Sequence, residues 1–146
     1  MTNKTAAPVV VWFRKDLRLD DNAALAAAAD TGRPVIPLYI REPEAAGTGP
    51  LGAAQAWWLH HALASLARDL EKAGSPLVLR SGAAAGVLRK FVPETGADTL
   101  YWNRRHDPAG ISIDKEIKRV FKAEGLDVHS FSGQLLHDPT RLLTGE

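Results

Sequence analysis

Short apolar runs alternate with longer stretches of helical periodicity along the whole chain. VVVWF at residues 9–13, PVIPLYI at 34–40, PLVLR at 76–80, DTLYW at 98–102 and LDVHSF at 126–131 are nearly continuous apolar runs rich in β-branched and aromatic residues. Such runs predict strands buried on both faces. Between them lie four helical patterns. An Ala-rich segment over about 21–30 is capped by Asp20 or Asp21 and stopped near Gly32. The long segment 53–74 repeats Leu59, Leu63, Leu66 and Leu70 and ends at Gly74. A third helix is predicted over about 84–92. A fourth, over about 111–124, carries Ile113, Ile117, Val120 and Phe121 on its apolar face. The Pro- and Gly-bearing stretch 41–52 reads as a long loop.

Strand–helix alternation with buried strands predicts an α/β fold, a doubly wound five-stranded parallel sheet of Rossmann-like type with helices on both faces and strand order 3-2-1-4-5. The expected domain spans 8–132. Residues 1–7 read as a frayed, disordered start, and 133–146 as the beginning of a linker, since they contain no further complete element. Ligands of such sheets bind beyond the carboxyl ends of the strands, at the switch in strand order. The loops after strands one, two and four, FRKDLRLDDN, REPEAAGTGPLG and NRRHDPAG, should therefore converge.

Composition narrows the chemistry. The 146 residues are 45% hydrophobic and 24% charged, with net charge +1, too small to argue for nucleic-acid binding from global charge. With no cysteine, disulfides, iron–sulfur clusters and thiolate zinc sites are excluded. No run is long enough for a membrane span, and the start lacks the apolar core of a signal peptide, so a cytoplasmic protein with no membrane partner is expected. Neither a dinucleotide-binding nor a phosphate-loop glycine signature is present, nor a nucleophile elbow. Gly82 and Gly86 read as a tight turn with close helix packing. His60 and His61 are adjacent, point about 100° apart on a helix and cannot share a metal, so both read as surface residues and no metal site is expected. The residues alone describe a binding domain with no catalytic residues.

Residues 10–25, VVWFRKDLRLDDNAAL, closely resemble the N-terminal signature of the DNA photolyase and cryptochrome family. PVIPLYI, AWWLHHALASLARDLEKAGSPLVLR, LYWNRR and FSGQLLHDP follow in that family's order and spacing, so the resemblance runs from about residue 8 onward. It looks most like bacterial cyclobutane pyrimidine dimer photolyases near plant cryptochromes. The resemblance implies a light-harvesting antenna domain of a deoxyribodipyrimidine photolyase. Such a domain holds a pigment, here methenyltetrahydrofolate by overall similarity, with a deazaflavin or FMN as alternatives. The pigment passes excitation to FAD in a C-terminal helical domain, which also binds damaged DNA and performs the carbon–carbon lyase chemistry. That domain is absent from this chain, so the chain alone is expected to be neither catalytically competent nor selective for damaged DNA. An interface left open by its absence would favour a non-native dimer.

The family pigment implies a cofactor-binding set of Arg41, Glu42, Leu51, Gly52, Gln55, Trp58, Asn103, Arg105, His106 and Asp107. Trp58 offers a flat wall, Glu42 or Asp107 a carboxyl for the pterin edge, and Arg105 a cation for the glutamate tail. Where better-studied folate-binding members have an Asn–Glu pair, this chain has Ala109 and Gly110. The pattern of deazaflavin-binding members, an acidic residue near Arg105 with an arginine near Gln55, is likewise not reproduced intact. Among the tryptophans, Trp12 and Trp102 read as core, and Trp57 and Trp58 more readily as packing residues than as ring-stackers. Arg104 and Arg105 fit a solvated turn about as well as a site. Of the signature residues Arg14, Asp16, Arg18, Asp21 and Asn22, the four charged ones read as an internal brace of ion pairs rather than a ligand site. Two other readings stand beside the photolyase: a cryptochrome photoreceptor, and a free-standing nucleotide-binding domain of the same superfold.

Overall fold

The computed structural model describes residues 6–42, 52–105 and 108–132. Five strands and four helices alternate: β1 (Val9–Phe13), α1 (Ala23–Asp30), β2 (Val35–Arg41), α2 (Ala53–Lys72), β3 (Val78–Ser81), α3 (Ala84–Thr95), β4 (Thr99–Asn103), α4 (Pro108–Ala123) and β5 (Asp127–Phe131). The strands form one parallel sheet in the order β3-β2-β1-β4-β5, as the alternation predicts.

Every residue of β1 is buried, because it lies at the sheet's centre with helices over both faces. Side chains alternate across a strand, so Val10 and Trp12 enter one core and Val9, Val11 and Phe13 the other. The first core is closed by Leu88, Phe91 and Val92 of α3 with Ile117 and Phe121 of α4. The second is closed by Ala24 and Ala28 of α1 with Leu66 and Leu70 of α2. Trp12 and Trp102 are 1% and 0% exposed and meet edge to face at 5.9 Å.

Several boundaries differ from expectation for local reasons. Helix α1 is capped by Asn22, whose Oδ1 accepts from the Leu25 amide at 3.1 Å, and not by either aspartate. Asp21 is instead at φ +51°, in the left-handed turn that leads into the cap. Helix α3 runs past Pro93, which stands in its last turn, to Thr95, and Gly96 then ends it at φ +74°. Helix α4 begins at Pro108, a residue pre-set for a first turn. Gly82 does sit in a tight turn, where a Cβ would meet Val87 at 3.0 Å, but a Cβ on Gly86 would meet nothing within 4 Å, so no close packing requires that glycine.

At the amino ends of the strands Arg33 ties three segments together. Its guanidinium donates to the carbonyl of Ala7 at 2.7 Å and of Pro8 at 3.3 Å, to the Thr99 hydroxyl at 3.0 Å, and pairs with Asp98. Hydrogen bonds from Thr99 and Arg33 hold the Asp98 carboxyl below its ordinary range. A depressed carboxylate stabilises the fold above its unfolded-state pKa, and this contribution disappears as pH falls through the folded value. The stability gap between the wild type and Arg33→Gln should therefore narrow as pH is lowered from 7 to 3. The narrowing should be small, about 1 kcal/mol or less, because Asp98 is largely exposed. Urea titrations at both pH values measure it; a gap that widens on acidification would contradict the clamp.

Candidate functional site

Beyond the carboxyl ends of β1 and β4 the charges of the first loop are drawn into the protein. Arg14, 9% exposed, donates to both carboxylate oxygens of Asp114 in α4, at 2.5 and 3.1 Å, and to the Asn103 carbonyl. Its guanidinium carbon lies 4.6 Å from the centre of the Trp12 ring. Asp16 accepts from the Arg14 amide at 2.8 Å, from Asn103 Nδ2 at 2.6 Å and from Asn22 Nδ2 at 3.3 Å. Asn103 Nδ2 also donates to Asn22 Oδ1 at 2.8 Å, and its Oδ1 accepts from the Ala24 amide at 3.1 Å. One connected cluster thus joins β1, α1, β4 and α4.

This is a brace, but it is built differently from the ion-pair network expected within the first loop. The partner of Arg14 is Asp114, exactly one hundred positions away in sequence, and Asp16 is held by two amide side chains and a backbone N–H. Arg18 and Asp21 lie outside the buried part: both are exposed, and Arg18 donates to the Asp21 carbonyl at 3.2 Å. Asp114 occupies the same helical stripe as Ile117 and Phe121, the buried side of α4. A carboxylate interrupting an apolar stripe is the sequence signal that could have found it.

The proposed pigment residues divide. Glu42 and Arg105, both half-buried, lie within electrostatic reach of each other and of Arg14 and Asp114. Burial pushes the Glu42 carboxyl above its usual range, Arg105 and Arg14 pull it back, and the charge of Asp114 adds to the rise. Gly52 caps α2, and its N–H donates to Gln55 Oε1 at 3.3 Å. Asn103 reaches the same end of the sheet, but its side-chain oxygen and nitrogen are both engaged in the brace. Arg41 ends β2 with an exposed side chain. Leu51, His106 and Asp107 lie outside the described residues.

Trp57 and Trp58 do not pack as expected: they are 64% and 62% exposed. The 100° step of a helix turns both away from the Leu66 and Leu70 stripe. Trp57 instead contacts the His61 ring at 4.2 Å, and His60 and His61 are surface residues. Arg104 and Arg105 are half-buried, so neither is a fully solvated residue. Among the described residues no set of three His, Cys, Asp or Glu side chains could hold a metal ion, and no helix is long and apolar enough to cross a membrane.

Comparison with known proteins places this architecture. The profile of the family described as DNA photolyase matches residues 9–146. The chain is 62% identical over 144 residues to a deoxyribodipyrimidine photo-lyase of Agrobacterium fabrum, covering 99% of this chain and 29% of that protein. It is 40% identical over 131 residues to Cryptochrome-1 of Arabidopsis thaliana, covering 89% of this chain and 19% of that one. Among solved structures, a bacterial class III photolyase from Agrobacterium tumefaciens superposes with a TM-score of 0.85 at 62% identity, over 92% of this chain and 27% of the other. An archaeal photolyase from Sulfolobus tokodaii, described with two FAD molecules and as implicating a novel light-harvesting cofactor, superposes with a TM-score of 0.80 at 30% identity, over 91% and 31%. The chain therefore spans less than a third of the relatives it matches. On both sequence and fold, this chain belongs to the DNA photolyase family.

Proposed function

We propose that the chain is the light-harvesting domain of a deoxyribodipyrimidine photolyase, holding an antenna pigment whose excitation passes to FAD in a C-terminal helical domain. The observation that carries this reading is the 62% identity to a photo-lyase across nearly the whole chain. The pigment is proposed to be methenyltetrahydrofolate, near Glu42, Arg105, Gly52, Gln55 and Trp58, with Arg41, Leu51, His106 and Asp107 as further members of the set. FMN and a deazaflavin are the alternatives.

The local chemistry supports a ring with polar edges and an acidic tail. A half-buried carboxyl with a raised pKa holds a proton more readily than a solvated one, so Glu42 suits a donor and acceptor edge such as a pterin's. Arg105 is a cation for a carboxylate tail. Asn103 suits the role least, since a ligand would have to displace its hydrogen bonds to Asp16, Asn22 and Ala24. DNA repair itself, FAD binding and contact with damaged DNA are assigned to the helical domain. The 40% identity to Cryptochrome-1 supports a second reading, the corresponding domain of a photoreceptor. Family membership leaves the free-standing nucleotide-binding domain without support.

The test is to mix the purified chain separately with methenyltetrahydrofolate, FMN and a deazaflavin, and to measure absorbance after gel filtration. Co-elution of about one equivalent of folate is expected; retention of none of the three would count against a pigment site in this domain. The brace makes a distinct prediction. Asp16→Ala leaves the amides of Asn22 and Asn103 short of an acceptor and should destabilise the fold by about 1–3 kcal/mol. Pigment retained per folded molecule should stay unchanged. The reverse pattern, intact stability with pigment lost, would make Asp16 a ligand.

A further inference from the structure

The lysines of α4 gather on one flank of the helix. Asp114, Ile117 and Phe121 face the sheet. Ile113 packs into the core that α3 closes, and Glu124 pairs with Arg89 of α3 at 3.6 Å, so one flank of α4 lies toward α3. Lys115, Lys118 and Lys122 follow the spacing i, i+3, i+7 and fall within about 60° of one another on the opposite flank. That flank lies toward β5, the edge strand of the sheet. Lys118 is half-buried there, while Lys115 and Lys122 are exposed. Arg104 follows β4 at the same edge, its amide donating to the Phe131 carbonyl at the end of β5 at 2.8 Å.

The carboxylates of this helix region are committed elsewhere. Asp114 accepts from Arg14, Glu116 pairs with Arg119 at 2.8 Å, and Glu124 pairs with Arg89. Among the described residues none of the three lysines forms an ion pair. Burial, followed by the charges of Arg104 and Lys122, pushes the Lys118 ammonium below its ordinary range, and Asp114 offsets only part of this. Like charges are held together at a cost that a bound polyanion would remove. The net charge of +1 conceals this local excess.

Phosphates suit the stripe better than carboxylates or a lipid surface. A lysine meets a phosphate as a point charge, and none of the three offers the planar arginine fork that carboxylates favour. A helix lying on a membrane carries a full apolar face, whereas among the described residues of α4 the one large apolar side chain exposed is Ile111, at 39%. The stripe is about 10 Å long, and duplex DNA carries one charge per ~1.7 Å of its axis, so several phosphates fall within reach. We propose that this flank of α4 is a contact surface for the phosphate backbone of duplex DNA, blind to sequence and lesion, which adds to the contacts of the helical domain. The choice of DNA among phosphate polymers rests on the photolyase reading.

Fluorescence anisotropy of a labelled duplex, with and without a pyrimidine dimer, tests this on the purified chain. Both duplexes should bind alike at about 50 mM salt, with a Kd of about 10⁻⁴ M or tighter. The logarithm of the association constant should fall against that of the salt concentration with a slope of about −2 to −3, at roughly −0.9 per phosphate neutralised. Lys115→Gln/Lys118→Gln/Lys122→Gln should weaken binding about tenfold or more and flatten the slope, with an unchanged circular dichroism spectrum and unchanged pigment retention. Arg68→Gln/Lys72→Gln/Lys90→Gln removes the same charge from exposed positions on α2 and α3 and should weaken binding about threefold at most. Absence of binding at about 0.5 mM chain, equal losses in the two triple variants, a clear preference for the dimer, or binding to phosphatidylserine vesicles but not to the duplex would each overturn the proposal. Pigment retained without DNA binding would overturn it alone. DNA binding without retained pigment would support it while counting against the pigment site.

Discussion

Arg14→Met is expected to lower the stability of the domain by about 3–5 kcal/mol, the cost of leaving one partner of a buried ion pair without the other. The substitution keeps an unbranched chain near Trp12 but removes both hydrogen bonds to Asp114 and the one to the Asn103 carbonyl. Asp114 is 7% exposed and would remain as a carboxylate with its cation gone. Water cannot easily replace the guanidinium, because α4 and the sheet close over the pair. Arg14→Met/Asp114→Leu should recover most of the loss, since a buried ion pair exchanged for apolar groups of similar volume is often neutral. Urea-induced unfolding of the two single variants and the double variant measures this. A loss below about 1 kcal/mol in Arg14→Met would indicate an ion pair that behaves as a solvated one.

Trp102→Ala should cost about 3–5 kcal/mol, through lost transfer free energy and the cavity left in the centre of the sheet. Trp102 is fully buried, lies on β4 beside the central strand, and packs against Trp12. The conservative change is more informative. Among the described residues the Nε1–H groups of Trp12 and Trp102 have no hydrogen-bond partner, so each is a buried donor that contributes nothing by bonding. Trp102→Phe therefore keeps a ring, loses volume and gives up no hydrogen bond, and should cost much less than Trp102→Ala, about 2 kcal/mol or less. Thermal unfolding of the two variants tests both statements; equal losses would mean that the indole N–H has a partner after all.

The strand order was legible because all five strands are short apolar runs separated by helical periodicity, and parallel connections leave few alternatives. The same reasoning found Trp12 and Trp102 in the core. It failed where a single residue's geometry decides. Asn22, not Asp20 or Asp21, caps α1, because the turn places Asp21 in a left-handed conformation and the Asn22 side chain beside Asp16. Trp57 and Trp58 suit a core by residue type, but their angular positions on α2 leave them facing out.

At the site, local sequence showed that charges gather at the end of β1 but not which of them pair. The partner of Arg14 comes from a helix far along the chain, and such a pairing depends on topology rather than spacing.

The antenna role is tested most directly in a protein that joins this chain to the FAD-binding helical domain, by measuring the wavelength dependence of pyrimidine-dimer repair with the pigment bound. The account predicts that repair follows the pigment's absorption band as well as that of reduced FAD. It also predicts that Glu42→Gln/Arg105→Ala loses the pigment-driven part while repair driven directly through FAD persists. An action spectrum that follows FAD alone, despite bound pigment, would contradict it.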